Sequence, residues 1–448
     1  MAGCARLGFP ERRSLAHDTM NNTLRRLFGF DYADEKDIAP RTRRGLTFFY
    51  WDAVFALFSE SSSANYVNLF LVSLNASNTQ IGFLATITQI VSAIAPLPGA
   101  AIAERTGRYR ANILIPSLVA RIFWFVLALL PFLPLGPAVV GIAITIFAAR
   151  MFMYAWLQAP WTAFVGRLVP TEIRASYLSM RNFGGGLATI AGTALAAWII
   201  SLVGEPGGFQ VIFVISGIVG MAAQWAFSSI PFDERTPIQS EPTPARTSID
   251  VTRIARNVRS MLTSNPTWTR ILICDCVLAL AVGIGGPFIQ VYQIRELGFG
   301  AAAVGLMVTA ELATNIVMQR VYGTYIVPRF GELTIMRFLR PLTSLVPFLW
   351  LFATTPVMGL PIVFLAGTLW SGHELCSFNT QLRITPEDGR ANYIALHMFA
   401  ISLFAAVGPA IGGAVVDAVG FFPLFAVSAG LRLAAGILLH VVVPRNAA

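Results

Sequence analysis

Apolar runs of the length of a membrane span recur along the whole chain, separated by short breaks that collect most of the charge. A helix needs about 20 apolar residues to cross the roughly 30 Å hydrocarbon layer, where backbone polar groups must be satisfied within the segment itself. The pattern predicts twelve such helices, near 46–73, 80–103, 112–134, 137–164, 177–203, 208–230, 269–292, 302–325, 335–354, 360–382, 393–419 and 421–443. The breaks alternate in character. One set holds Arg41, Arg43 and Arg44, then Arg105, Arg108 and Arg110, then Arg167, Arg174 and Arg181, and later Arg329, Arg337, Arg383 and Arg390. The alternate breaks at 132–137, 204–209 and 354–360 contain no Arg, and Arg295 is the single basic residue on that second side. Short cytoplasmic loops retain Lys and Arg, so both termini and the basic breaks are expected in the cytoplasm, with the chain in the cell membrane.

Composition sharpens this picture. The 448 residues are 55% hydrophobic and 12% charged, whereas a soluble domain carries charge on about a quarter of its residues. The formal charge of +9 sits in the breaks rather than in a nucleic-acid footprint, so the partners expected are membrane lipid and a small-molecule substrate, not nucleic acid. Four cysteines without a CxxC pair, and no His at metal spacing, argue against a disulfide framework, a metal site or any other cofactor. A polar, Arg-rich segment of about 45 residues precedes the first apolar run, so no cleavable signal peptide is expected, and Met20 offers a second possible start.

One long hydrophilic break at 231–268 is rich in Pro, Ser, Thr and Arg. It reads as a flexible stretch followed by a short basic amphipathic helix on the inner surface. The expected organisation is therefore a tail (1–45), a six-helix bundle (46–230), the central loop (231–268) and a second six-helix bundle (269–443). The bundles resemble each other. A shift of 216 residues pairs Pro170 with Pro386, Arg174 with Arg390, Tyr177 with Tyr393, Gly192 with Gly408 and Gly204 with Gly420. A shift of 223 pairs Asp52 with Asp275 and Gly82 with Gly305. Parallel six-helix repeats with a binding site between them are a known transporter plan.

The break after the second run reads Gly99-Ala-Ala-Ile-Ala-Glu104-Arg105-Thr-Gly107-Arg108-Tyr-Arg110. It resembles the Gly-x-x-x-Asp-Arg-x-Gly-Arg-Arg signature of the major facilitator superfamily, with Glu104 in place of the Asp and Gly99 one residue early. A weaker copy, Gly323 to Gly331, lies in the matching break of the second half, where Arg329 and Gly331 correspond to Arg105 and Gly107 after a one-residue slip. The resemblance implies an all-α integral membrane fold of twelve helices in two pseudo-symmetric bundles. It further implies a cytoplasmic gate of Glu104, Arg105, Gly107, Arg108 and Arg174, with Arg329 and Arg390 in the second half. Anchoring at lipid headgroups is the other reading of these residues. The fifth span keeps only Gly192 of the motif usual in the family's proton antiporters, which leaves drug–proton antiport without specific support.

Ionisable groups inside spans are the best functional candidates, because a charge at mid-bilayer costs at least about 2.5 to 3.5 kcal/mol and demands a cavity or a partner. The family plan puts the first, fourth, seventh and tenth spans around the central cavity, and these carry Glu60, Arg150, Asp275 and Glu374. Glu60 and Arg150 are expected to pair, either for transport or as a permanent bridge that lowers insertion cost. Asp52 and Asp275, as repeat mates, are expected near each other or near cytoplasmic arginines. Glu311, Glu374 and His373 are the candidates for carrying a proton, and Arg121 and Arg432 are expected to snorkel or pair locally on peripheral spans. Trp156 and Trp370 could wall a partly apolar substrate, with Ser61, Ser62, Ser63, Asn65, Asn68 and Asn379 as polar partners. No GxxxxGK[ST] loop is present, so nothing points to ATP, and no cluster of nucleophile, base and acid points to an enzyme. The expected activity is secondary transport of a small organic solute by alternating access, proton coupling being one option, by a monomer. A carrier-like receptor or assembly factor that no longer transports is the other reading.

Overall fold

The computed structural model describes residues 39–170, 173–231, 251–386 and 390–443; the N-terminal tail and the Pro- and Ser-rich stretch before residue 251 lie outside them. The first half contains α1 (Pro40–Ala64), α2 (Val67–Ser73), α3 (Asn78–Ile94), α4 (Pro96–Thr106), α5 (Tyr109–Leu129), α6 (Ala138–Trp156), α7 (Gln158–Leu168), α8 (Arg174–Val203) and α9 (Gly207–Ser228). The basic amphipathic helix expected after the central stretch is α10 (Val251–Ser264). The second half contains α11 (Pro266–Arg295), α12 (Ala301–Val321), α13 (Val327–Phe330), α14 (Glu332–Leu342), α15 (Leu345–Trp350), α16 (Pro356–Ile384), α17 (Arg390–Val419) and α18 (Phe421–Val442).

These helices run as twelve passes, several of them broken once. Among the described residues nine stretches are long and apolar enough to cross a bilayer. The other three passes are α1–α2, α14–α15 and α16, where Asp52, Glu60, Arg340, His373 and Glu374 dilute the hydropathy. Breaks in the passes fall at particular residues. The first pass stops at Asn65 and restarts after Tyr66, whose hydroxyl donates to the Thr193 carbonyl at 2.6 Å.

Repeat symmetry is visible in the backbone. Gly107 and Gly331, the glycines of the strong and weak signature copies, each end a helix at φ of +66° and +76°. Gly204 and Gly420, paired in the sequence, do the same at +79° and +85°. A side chain is strained in that region of φ, so glycine is the residue that fits. Packing repeats as well. A Cβ on Gly192 would lie 2.7 Å from the Phe58 carbonyl, and one on its mate Gly408 would lie 2.7 Å from the carbonyl carbon of Gly283. Each half thus closes its first pass on its fifth through a glycine, as expected where lipid supplies no hydrophobic drive and close backbone approach does the work.

The seam between the halves is built from a second symmetric pair. Gly82 of α3 packs against the Pro409 carbonyl and Gly413 of α17, and Gly305 of α12 packs against Ala197 of α8 and Tyr66. Both contacts lie toward the end of the molecule that lacks the basic loops. Toward the basic end Ile90 and Ile94 on α3, Phe183 and Leu187 on α8, Val317 on α12 and Phe404 on α17 are exposed, while Gly186 of α8 still packs against Ile316 of α12.

Glycine packing makes a prediction. Gly408→Val should place branched carbons against α11 and lower stability by about 1–3 kcal/mol, read as a lower melting temperature in detergent. Gly430→Ala, where nothing lies within 4 Å of an added Cβ, should leave it unchanged. Equal melting of both variants would contradict the packing.

Candidate functional site

Glu60 and Arg150 meet. The Arg150 guanidinium bonds the Glu60 carboxylate, the Arg side chain being 2% exposed and the Glu 24%. Three rings surround the cation, with its central carbon 4.0 Å from the Trp124 ring centre and 5.8 Å from those of Phe147 and Tyr154. Aromatic faces and one carboxylate together replace the water that a guanidinium loses on burial. Nε of Arg150 is buried without a hydrogen-bond partner, so the cation keeps unused donor capacity.

Asp52 and Asp275 do not approach each other; each pairs within its own half. Asp52 accepts from Arg181 at 3.4 Å, and that guanidinium also lies 4.2 Å from the Phe49 ring centre. Asp275 bonds Arg340 on α14 and sits 3.1 Å from Nε2 of His397 on α17. The repeat explains this arrangement, since His397 is the mate of Arg181 just as Asp275 is the mate of Asp52. The acid–base pair is therefore retained across the duplication with a titratable base in the second copy. His397 Nε2 has two partners on offer, Gln381 Nε2 at 2.7 Å and Asp275 Oδ2 at 3.1 Å. Unprotonated, that nitrogen accepts from the Gln381 amide; protonated, it donates to Asp275.

Other candidates fall in different surroundings. His373 is buried, stacks on Trp370 with ring centres 5.2 Å apart and has an unpartnered Nδ1. It lines a cavity with Asp275, whereas the neighbouring Glu374 is exposed and hydrogen-bonds Asn315 of α12. Glu311 is half-buried in a second cavity that also holds Arg432. Arg432, expected to snorkel or pair locally, is 6% exposed, lines the second cavity and donates to the Thr343 carbonyl at 3.3 Å. Arg121 does pair locally, with Gln224.

Several polar residues serve packing rather than a cavity. Ser59, Ser62 and Ser63 all bond Ser216 of α9, and Asn65 donates to Thr193 of α8 at 3.1 Å. Such side-chain bonds between helices are the glue expected within a bilayer. Trp156 packs at the close approach between α4 and α6, where a Cβ on Gly99 would collide with the Trp156 carbonyl. That contact accounts for the glycine standing one residue early in the signature. Asn379 is half-buried on α16. Trp370 borders both cavities.

The expected gate residues are apart in this conformation. Glu104, Arg105 and Arg108 are exposed at the end of α4, and Arg329 is exposed at the end of α13. Arg174 caps α7 in its own half, donating to the Gly166 carbonyl at 2.9 Å and the Val169 carbonyl at 3.1 Å. The Arg390 side chain lies outside the described residues.

At the other end a polar latch joins the halves. Asp417 of α17 accepts from the Thr79 backbone at 2.9 Å, the Thr79 hydroxyl at 2.6 Å and the Asn78 amide at 2.8 Å. These groups form the first turn of α3, whose free N–H groups and dipole favour an anion. Arg295 completes the latch, donating to Asn78 Oδ1 at 2.6 Å and to the Ala76 carbonyl. The lone basic residue of that side thus has a structural assignment. Arg340, His397 and Asp417 were not singled out in the sequence. Arg340 lies inside an expected span and the rule that picked out Glu60 would have found it; Asp417 sits too near a span end to register.

The two cavities are neighbours that share a wall. One, of about 420 Å³, lies on the seam between Thr88 and Gln89 of the first half and Asp275, His373 and Ser377 of the second. The other, of about 290 Å³, is lined mainly by the second half together with Asn68 of α2, and shares Val282, Gly286, Pro287 and Trp370 with the first. Pro287 sits mid-helix in α11 and leaves the Gly283 carbonyl without its helical donor, so free backbone polarity borders the seam cavity.

The model of the Major Facilitator Superfamily matches residues 53–382. Among solved structures the chain is similar to the nucleoside transporter NupG, with a TM-score of 0.65 and 12% identity over 90% of this chain and 99% of that one. It is similar to a D-xylose-proton symporter, with a TM-score of 0.63 and 16% identity over 90% and 96%. It is also similar to a bacterial homologue of the iron transporter ferroportin in an inward-facing state, at 0.62 and 12% over 90% and 99%. No curated protein sequence matches. The signature of the second break, the symmetric glycines and the six-plus-six passes agree with the family match, and the chain belongs to the Major Facilitator Superfamily.

Proposed function

We propose that the protein moves a small organic solute across the cell membrane by alternating access, with its termini and basic loops in the cytoplasm. Membership of the superfamily makes it a multi-pass secondary transporter. The observation that supports the mechanism is the asymmetry of the seam. At one end Asp417 and Arg295 bind the start of α3 and two glycine contacts seal the helices, while further along the seam a largely apolar cavity opens between Thr88 and Gln89 of the first half and Asp275 and His373 of the second. With the basic loops in the cytoplasm this is the inward-open state. Closure there would bring Glu104, Arg105 and Arg108 toward the second half, and the latch would release. A monomer suffices, since both halves come from one chain.

Two buried charge centres flank the seam: Asp275 reaches the seam cavity, and the Glu60–Arg150 pair sits within the first half. The Glu60–Arg150 pair uses one carboxylate for a cation with spare donor capacity, so a solute acceptor can engage Arg150 as the halves rock. The Asp275–Arg340–His397 group is the proton site of this reading. A proton on His397 Nε2 exchanges its Gln381 contact for one to Asp275, and His373 lies beside them on the cavity wall.

Reconstituted protein tests this directly. Glu60→Gln and Arg150→Ala should each lower the initial transport rate by about tenfold or more, the equivalent of about 1.4 kcal/mol, with the protein still inserted; wild-type rates in both would remove the pair from the mechanism. His397→Gln should abolish the response to an imposed pH gradient while leaving solute exchange at equal pH intact. A persistent gradient response would place the coupling proton elsewhere.

A further inference from the structure

Arg432 and Glu311 pose a charge problem that the transport cycle above does not use. Both line the cavity of about 290 Å³ formed mainly by the second half and bordered by Asn68 of the first, Arg432 from α18 and Glu311 from α12. Arg432 is 6% exposed, its Nε is buried without a partner, and its one protein hydrogen bond is to the Thr343 carbonyl at 3.3 Å. No ion pair among the described residues includes either group. Gln293, 3% exposed on the same wall, has an unpartnered Oε1. A buried guanidinium facing only a carbonyl is costly in a membrane, and such a group marks a binding site when a cavity adjoins it.

We propose that this cavity binds a small zwitterion, its carboxylate held by Arg432 and its ammonium by Glu311; the inference rests on the transport reading and names the substrate class. Charge balance makes the choice. A simple anion would satisfy Arg432 and bring negative charge beside Glu311, while a simple cation would do the reverse. A zwitterion answers both groups and adds no net charge to a cavity within the membrane span. Gln293 Oε1 is a second acceptor for the ammonium. The cavity volume lies near the lower end of the roughly 300–1,000 Å³ of small-molecule pockets, which suits a compact amino acid rather than a peptide or drug-sized ligand. Trp350 and Trp370 supply the apolar wall for the carbon chain between the charged ends. Because Trp370 also borders the seam cavity, it stands on the way in.

The test uses the purified full-length protein in detergent, titrated with glycine, β-alanine and the longer ω-amino acids up to aminohexanoate, with the alkanoates and alkylammonium salts of equal chain length as comparators. Melting temperature and titration calorimetry provide the readouts. At least one amino acid of the series should bind saturably, with the matching alkanoate and alkylammonium weaker by about tenfold or more. Glu311→Gln should then weaken the amino acid and strengthen the alkanoate relative to it, and Arg432→Gln should shift preference toward the alkylammonium. Alkanoates binding the wild type as tightly as the amino acid, no series member binding at all, or unchanged preferences in Glu311→Gln would each overturn the proposal. Should Arg432→Gln fail to fold, the half-buried Glu311 variant still decides the matter. Binding without movement of the amino acid into liposomes would count against transport and leave the site standing; movement of some other solute without zwitterion binding would do the opposite.

Discussion

The short bridge from Asp417 to the first turn of α3 is the contact on which this conformation depends. It joins a carboxylate of one half to the free N–H groups and positive helix end of the other, with Arg295 pinning the same turn. Around it Gly82 and Gly305 allow the backbones of opposite halves to touch, without which the carboxylate could not reach. A polar contact near the bilayer surface has an alternative in water, so it can break at modest cost. That property suits a latch. The buried pairs deeper in each half have no such alternative and behave as fixed parts of rigid bodies.

Rigid halves and a soluble latch together account for how the charges are distributed. Asp52–Arg181 and Asp275–Arg340–His397 stay inside their own bundles. Removing one member of such a buried pair strands the other, at about 3–5 kcal/mol, so these centres hold their geometry while the bundles move. The second half differs from the first in two respects. His397 stands where the first half has Arg181, an imidazole in place of a guanidinium. Arg432 stands on an otherwise apolar last helix and points inward, which gives that half a cavity with charge to offer. Duplication produced two similar frames, and the chemistry is concentrated in one.

Much of this was legible in the sequence, for physical reasons. Span lengths and arginine alternation follow from the bilayer itself, and the paired glycines announced the repeat because left-handed backbone and close helix contact exclude other residues. Glu60 and Arg150 could be matched because opposite charges at one membrane depth have few other solutions. What each helix face meets was harder to read. Ser62 and Ser63 looked like cavity residues but turn toward Ser216, and Arg432 looked peripheral because helix order says nothing about rotation about the helix axis. Asp275 was marked as a repeat mate of Asp52, yet its partners lie 65 and more than 100 residues away, beyond any local pattern. The first-turn latch escaped notice because a single carboxylate at a span end resembles ordinary interfacial charge.

The claim beneath all of this is that the halves move as units, one end of the seam opening as the other shuts. Electron–electron distance measurements between spin labels test it most directly, one pair at Thr106 and Phe330 on the basic end and one pair at Leu133 and Phe352 on the opposite end, each label replacing an exposed side chain. In proteoliposomes the two distances should change in opposite directions when Asp417→Ala removes the latch, the Thr106–Phe330 pair shortening as the Leu133–Phe352 pair lengthens. Distances that stay fixed, or that lengthen together, would contradict the account.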